Sequence, residues 1–174
     1  MNELILPLSV SMGLLCFGLA ARWYLLPTLD NHSLTDGLTA LLLLHGFRYV
    51  GLAFLVPGVT SVPLDPRFAS HAALGDLGAA ILALLAIAAL RGNWRYAIPA
   101  VLIANLFGLL DLINAVIRGL VYTPDGDLGA TWFIPTVIVP LLVVSHIVIF
   151  RQVYFAYFRR TFDTRQQDVV IGIG

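Results

Sequence analysis

Three ionisable side chains, Arg48, Asp76 and Asp111, lie inside long apolar stretches of the chain, where a charge is costly and usually has a partner or a function. A guanidinium stays charged in an apolar environment, so it requires a carboxylate partner, and one aspartate is enough to neutralise it. The second aspartate is surplus, so we expect the two carboxylates to share a proton. These residue types predict a catalytic set with Asp76 and Asp111 as acid and base and Arg48 as the stabiliser of developing negative charge. A static ion-pair network that fixes helix packing is the alternative.

Two histidines in different apolar stretches form a second candidate site. His45 lies three residues before Arg48, on the same helix face, and counting residues places His146 at a similar depth. Two imidazoles on different helices are what a b-type haem or a metal ion requires. The sequence offers no third metal ligand, so haem b is the cofactor considered and no metal site is predicted. Interhelical hydrogen bonds, or a relay of protons to the aspartates, are the alternatives.

Three further polar residues are predicted to contact a substrate. Asn105 shares the depth of the two histidines, Asn114 lies one helical turn from Asp111, and His71 lies near the start of its apolar stretch, where it could guard an entrance. Interhelical hydrogen bonding explains the asparagines equally well, and interfacial solvation explains His71.

Five apolar stretches carry these residues, and each reaches the roughly 20 residues that a helix needs to cross a hydrocarbon core. They lie near 4–26, 37–58, 68–90, 96–122 and 128–150. The stretches are continuously apolar rather than alternating, which predicts helices and not barrel strands. With 59% hydrophobic and 11% charged residues, and a mean hydropathy of +0.90, the composition lies outside the range of soluble domains. We therefore predict an all-α, polytopic membrane protein with one five-helix bundle over 1–160 and a short cytoplasmic tail over 161–174.

The arginines predict the orientation of this bundle, because basic residues concentrate on the cytoplasmic side of membrane proteins. All ten basic residues are arginines. Seven of them fall on one side of the predicted spans and two on the other; the seven are Arg22, Arg91, Arg95, Arg151, Arg159, Arg160 and Arg165. The expected topology has the N-terminus outside and the C-terminus inside, in the plasma membrane and specifically a bacterial inner membrane.

The spans place the three charged residues in one layer. At about 1.5 Å per residue, Arg48 and Asp76 lie roughly 12 to 14 Å below the outer boundary, and Asp111 lies at nearly the same level. The third stretch also carries a line of small residues that lets another helix approach closely, so we expect it to be central. These residues are Gly75, Gly78, Ala79, Ala83 and Ala86.

Function is predicted only as a set of classes. A net charge of zero and the absence of a phosphate-binding G-x-x-x-x-G-K motif argue against nucleic-acid binding and against a nucleotide-driven pump. The first prediction is a protein that binds or acts on a lipid, isoprenoid or other hydrophobic small molecule. The alternatives are a haem or metal redox protein and a proton- or cation-linked carrier or subunit. The expected partners are membrane lipids, a hydrophobic small molecule, further copies of the chain, or a larger membrane complex.

Overall fold

Five helices form the fold in the computed structural model, which describes residues 4–123 and 128–171, with side chains described as far as Tyr157. Each of the five is long and apolar enough to cross a membrane, which confirms the predicted all-helical class and the predicted number of long apolar helices. The helices are α1 (Ile5–Asp30), α2 (Leu34–Leu55), α3 (Pro66–Arg91), α4 (Ala97–Tyr122) and α5, whose candidate span is Gly129–Tyr157.

The helix ends are set by local hydrogen bonds. Ser33 begins α2, where its hydroxyl accepts a hydrogen bond from the backbone N–H of Asp36 at 3.1 Å. Asp65 begins α3, where its carboxylate accepts one from the backbone N–H of Arg67 at 2.8 Å. The Arg67 side chain also binds this carboxylate, and these hydrogen bonds lower the pKa of Asp65. A short turn through Asn93, whose φ is +51°, joins α3 to α4.

Two predicted boundaries differ from the structure by four residues or more. The first helix continues to Asp30 rather than ending near residue 26, because Pro27 occupies the first turn of its last segment, where a missing N–H is tolerated. The last helix does not end near residue 150 or 160: its α-helical part, Val139–Ile171, runs without a break into the predicted tail. Residues 172–174 of that tail lie outside the described residues.

Three of the helices depart from α geometry, and each departure lies in a candidate span. Helix α1 has a π-helical segment at Ala21–Leu25, α2 changes to a 3₁₀ helix over Phe47–Leu55, and α5 has a second π segment at Ile134–Ile138. Pro135 lies in this last segment and donates no backbone hydrogen bond. Extended 3₁₀ runs and π segments are uncommon and often accompany functional sites.

Helix α3 packs closely against its neighbours, as its small residues predicted, although α5 rather than α3 contacts three other helices. It packs against both α2 and α4, whereas α5 contacts α1, α2 and α4. The packed face of α3 is lined by alanines that are almost fully buried, among them Ala79, Ala83 and Ala86. Helix α1 lies at the periphery, since none of the residues Ile5–Ala20 is buried. It approaches α5 closely at Gly13, where a β-carbon would meet the carbonyl oxygen of Thr136 at 2.8 Å.

Candidate functional site

Arg48 joins three helices through its guanidinium. The residue is 2% exposed and is among the largest fully buried side chains. Its Nε donates to Asp76 Oδ1 at 2.7 Å, and its Nη2 donates to Asp111 Oδ2 at 2.6 Å. Its Nη1 donates to the carbonyl oxygen of Gly108 at 2.8 Å. The structure therefore brings together the three residues of the predicted catalytic set; we refer to Arg48, Asp76 and Asp111 as the charged cluster.

Two glycines make room for the carboxylates of this cluster. A β-carbon at Gly51 would overlap Asp76 Oδ2, and a β-carbon at Gly75 would overlap Asp111 Oδ1. Each aspartate thus accepts a hydrogen bond from Arg48 with one oxygen, and its other oxygen lies in the space beside a glycine. Any larger residue at position 51 or 75 would displace a carboxylate, so these glycines are part of the site.

The two histidines contact each other in a second buried layer. Their ring centroids are 4.2 Å apart and the ring planes are inclined by 44°. The amide nitrogen of Asn105 donates to the His146 carbonyl oxygen at 3.2 Å, so its amide oxygen faces His146 Nδ1, at 2.7 Å. Nδ1 of His146 must then carry the hydrogen, which leaves its Nε2 as an acceptor in the neutral ring. Nε2 of His45 is 3.1 Å from the hydroxyl of Ser145.

One nitrogen of each histidine is buried without a hydrogen-bond partner among the described residues. These atoms are His45 Nδ1 and His146 Nε2. His146 Nε2 lies close to the charged cluster, because Gly108 provides the gap between them. A β-carbon at Gly108 would be 2.8 Å from Arg48 Nη1 and 3.3 Å from His146 Nε2. The two layers are therefore one connected polar region inside the bundle.

The bis-histidine haem prediction does not fit this geometry. An axial imidazole nitrogen lies about 2 Å from its metal, so two ligands on opposite faces have nitrogens about 4 Å apart and ring centroids farther apart still. The centroids of His45 and His146 are already 4.2 Å apart, with the rings packed on each other. A porphyrin does not fit between rings at this separation, so His45 and His146 in this arrangement are not the two axial ligands of one haem. Counting residues along helices gave the shared depth of the rings but not their separation.

The predicted substrate-contacting residues lie in three different environments. Asn105 is 1% exposed, and both ends of its amide are bonded to His146. Asn114 is exposed and accepts a hydrogen bond from Arg118 at 3.0 Å, so it does not reach the charged cluster. His71 is exposed near the start of α3. Of the three, only Asn105 belongs to the buried polar region.

Sequence reasoning missed four residues of this region. Gly51, Gly75 and Gly108 carry no polar group, and only Gly75 had drawn notice, as part of a packing stripe. Ser145 precedes His146 directly, but serine is common in buried helices and gave no signal of its own. The sequence did offer one clue to these glycines: Gly51 lies three residues after Arg48, and Gly108 lies three residues before Asp111.

Two cavities of different size adjoin the polar region. A cavity of about 10 Å³ borders the charged cluster, with room for one water-sized sphere; it is lined by Arg48, Gly51 and Asp76 together with apolar residues of α4 and α5. A lateral groove of about 380 Å³ lies between α1, α2 and α5. We call it the α1–α5 groove; its lining is Phe17, Ala20, Ala21, Tyr24, Leu25, Thr28, Leu44, Leu141, Val144 and Ser145.

The chain belongs to a family whose model is described as a domain of unknown function (DUF8737). The model matches residues 5–154, which include all five candidate spans up to Tyr154. No curated protein and no solved structure matches the chain.

Proposed function

We propose that this member of the DUF8737 family is an integral membrane protein that binds a hydrophobic small molecule, a lipid or an isoprenoid, in the α1–α5 groove. One observation carries the proposal: the groove is apolar along its walls and reaches Ser145, which is bonded to His45. It thus connects the lipid-facing surface to the buried polar region. Small-molecule sites are typically about 300 to 1,000 Å³, mostly apolar, with a few placed polar groups.

The shape and chemistry of the groove favour a ligand with an apolar chain and one hydrogen-bonding group. The apolar chain of the ligand would lie along Phe17, Leu25 and Leu141, and the hydrogen-bonding group of the ligand would point to Ser145. The groove faces sideways rather than toward either end of the bundle, so such a ligand could enter from the bilayer. The π segment Ala21–Leu25 supplies three of the lining residues, which ties the groove to the irregular part of α1.

The charged cluster is a poorer place for a lipid. The cavity beside it holds about 10 Å³, enough for water but not for an organic substrate. Arg48 is already bonded to two carboxylates and one carbonyl oxygen. The proposal is therefore binding in the groove, and acid–base chemistry on a lipid by Asp76 and Asp111 would require the cluster to open.

Orientation in the membrane is part of the same proposal. The arginine distribution supports an outer N-terminus and a cytoplasmic C-terminus in a plasma membrane. The groove then opens in the cytoplasmic leaflet, because its lining residues Tyr24 and Thr28 lie near the end of α1. A single cysteine introduced beside Arg67 or beside Arg95, labelled with a membrane-impermeant maleimide in intact cells, tests this orientation. Labelling is expected only beside Arg67.

Photo-crosslinking tests the groove. The purified protein in nanodiscs would be exposed to a fatty acid and, separately, to an isoprenoid, each carrying a diazirine on its chain, and the labelled peptides would be identified by mass spectrometry. At least one of the probes is expected to label residues 17–28 and 141–145 preferentially. Ala20→Trp fills the groove and is expected to reduce this labelling at least fivefold. Ala88→Trp is the matched control, since Ala88 is an exposed alanine of α3 outside the groove.

Labelling spread evenly over all exposed helix faces would refute the proposal. Equal labelling of the Ala20→Trp and Ala88→Trp variants would do the same. Competition by an unlabelled molecule then defines the polar group, with Ser145→Ala expected to weaken a hydrogen-bonding competitor and to leave a pure alkyl chain unaffected.

A further inference from the structure

We propose that the charged cluster is a binding site for one proton, held by Asp76 and Asp111 together and exchanged through a water in the adjacent cavity. The proposed proton site is independent of the α1–α5 groove, which shares no lining residue with this cavity. The ligand is the proton itself, and binding forms an O–H bond on a carboxylate oxygen with no other reactant.

The charges of the cluster do not balance without a proton. Arg48 contributes one positive charge, while Asp76 and Asp111 would contribute two negative charges, in a part of the bundle where Arg48 is 2% exposed. An uncompensated charge in such an environment is expensive, whereas two carboxylates that share one proton with a guanidinium are neutral overall. One proton removes the excess charge and leaves both hydrogen bonds from Arg48 in place, because the carbonyl oxygen of a protonated carboxyl group still accepts one.

The hydrogen bonds point to the same conclusion. Arg48 reaches one oxygen of each aspartate, Asp76 Oδ1 and Asp111 Oδ2. The second oxygens, Asp76 Oδ2 and Asp111 Oδ1, fill the spaces beside Gly51 and Gly75, and Arg48 donates to neither of them. An ionised oxygen without a donor is poorly stabilised, while a protonated one needs only an acceptor, such as a water.

The neighbouring groups do not supply the missing positive charge. His146 Nε2 is the nearest titratable atom on α5, and its ring gives its one N–H to Asn105, so it faces the cluster as a neutral acceptor. His45, on α2, contacts His146 and is likewise bonded through Nε2 to Ser145. Among the described residues of α1, the charged side chains, Arg22 and Asp30, lie in its last third.

A hard metal cation is less suited to the cluster than a proton. Such ions take six or more oxygen ligands, or keep several waters. The cluster offers two carboxylate oxygens that are not bonded to Arg48. In the described part of the chain, no group of three or more His, Cys, Asp or Glu residues could hold a metal ion. The adjacent cavity, at about 10 Å³, has room for about one water. That water can accept the proton from Asp76, which lines the cavity, and provides the route of exchange.

Infrared spectroscopy of the full-length protein in lipid nanodiscs tests the site. A protonated carboxylic acid has a C=O stretch that is separate from carboxylate bands and shifts in D₂O. At neutral pH the wild type is expected to show this band, with a further shift after ¹³C-labelling of aspartate. Asp76→Asn and Asp111→Asn are each expected to lose it, because either variant leaves one carboxylate to balance Arg48. Asp36→Asn is the control and should retain the band, since Asp36 forms an exposed pair with Arg91.

Absence of the band in the wild type would overturn the proposal and does not depend on any variant folding. Persistence of the band in Asp76→Asn would also overturn it, because the proton would then belong to Asp111 alone. Loss of the band on adding Na⁺ at constant pH would mean that a cation binds instead. None of these outcomes bears on lipid labelling in the groove.

Discussion

Removing Arg48 should destabilise the protein more than removing either aspartate. In Arg48→Met the two carboxylates stay in their partly buried positions but each loses its shared partner and one hydrogen bond, and the Gly108 carbonyl oxygen loses a third. Breaking a buried ion pair from one side typically costs about 3 to 5 kcal/mol, because the remaining charge is left without compensation. In Asp111→Asn the amide oxygen still accepts from Arg48 and the cluster becomes neutral with Asp76 alone. We expect that variant to lose no more than about 1.5 kcal/mol, the lower end for a hydrogen bond to a charged group.

The two variants, Arg48→Met and Asp111→Asn, should therefore differ in stability by at least about 1.5 kcal/mol. This difference corresponds to a factor of at least about ten in the unfolding equilibrium constant. Reversible unfolding in mixed micelles of a mild detergent and sodium dodecyl sulfate, followed by circular dichroism, measures it. A triple variant, Arg48→Met with Asp76→Asn and Asp111→Asn, should recover part of the loss because no buried charge remains. Arg48 does not compensate the two carboxylates in this way if Arg48→Met is as stable as Asp111→Asn, or if the triple variant is the least stable of the set.

Two further predictions concern single residues. Gly51→Ala and Gly75→Ala should each lower the free energy of unfolding by about 1 to 3 kcal/mol, because the new β-carbon overlaps a carboxylate oxygen. Gly18→Ala, which meets nothing within 4 Å, should instead be neutral or stabilise its helix by up to about 1 kcal/mol, and equal effects in the same unfolding assay would contradict the proposed close approach. The pKa of Asp65 is lowered from 3.8 by its hydrogen bonds from Arg67, so its contribution to stability is complete above about pH 4 and disappears as the pH falls through the lowered value. Asp65→Asn keeps an N-cap acceptor but does not titrate, and its unfolding midpoint should therefore fall less than that of the wild type between about pH 4 and pH 2.

Residue depth was predictable because helix rise is nearly constant. Counting along the apolar stretches placed Arg48, Asp76 and Asp111 in one layer, and the structure shows them in contact. Helix rotation was less predictable, because it depends on side-chain packing against neighbours. Asn114 lies only three residues from Asp111, yet it turns outward and binds Arg118, four residues further along. Distances between helices were not predictable, and for this reason a haem between His45 and His146 remained an alternative until their contact was seen.

The change of helix type at Phe47 accounts for how the cluster forms, and the sequence did not reveal it. A 3₁₀ helix has three residues per turn, so residues three apart lie in line along one face. The buried residues of Phe47–Leu55 follow this period: they are Arg48, Gly51 and Phe54. In an α-helix the same residues would rotate away from α3 by about 60° at each step. The 3₁₀ geometry instead places Gly51 directly beyond Arg48, where its missing side chain admits Asp76 Oδ2 while Oδ1 reaches Arg48 Nε. The irregular segment is thus the structural element that lets one aspartate bind the arginine with one oxygen and leave the other for a proton.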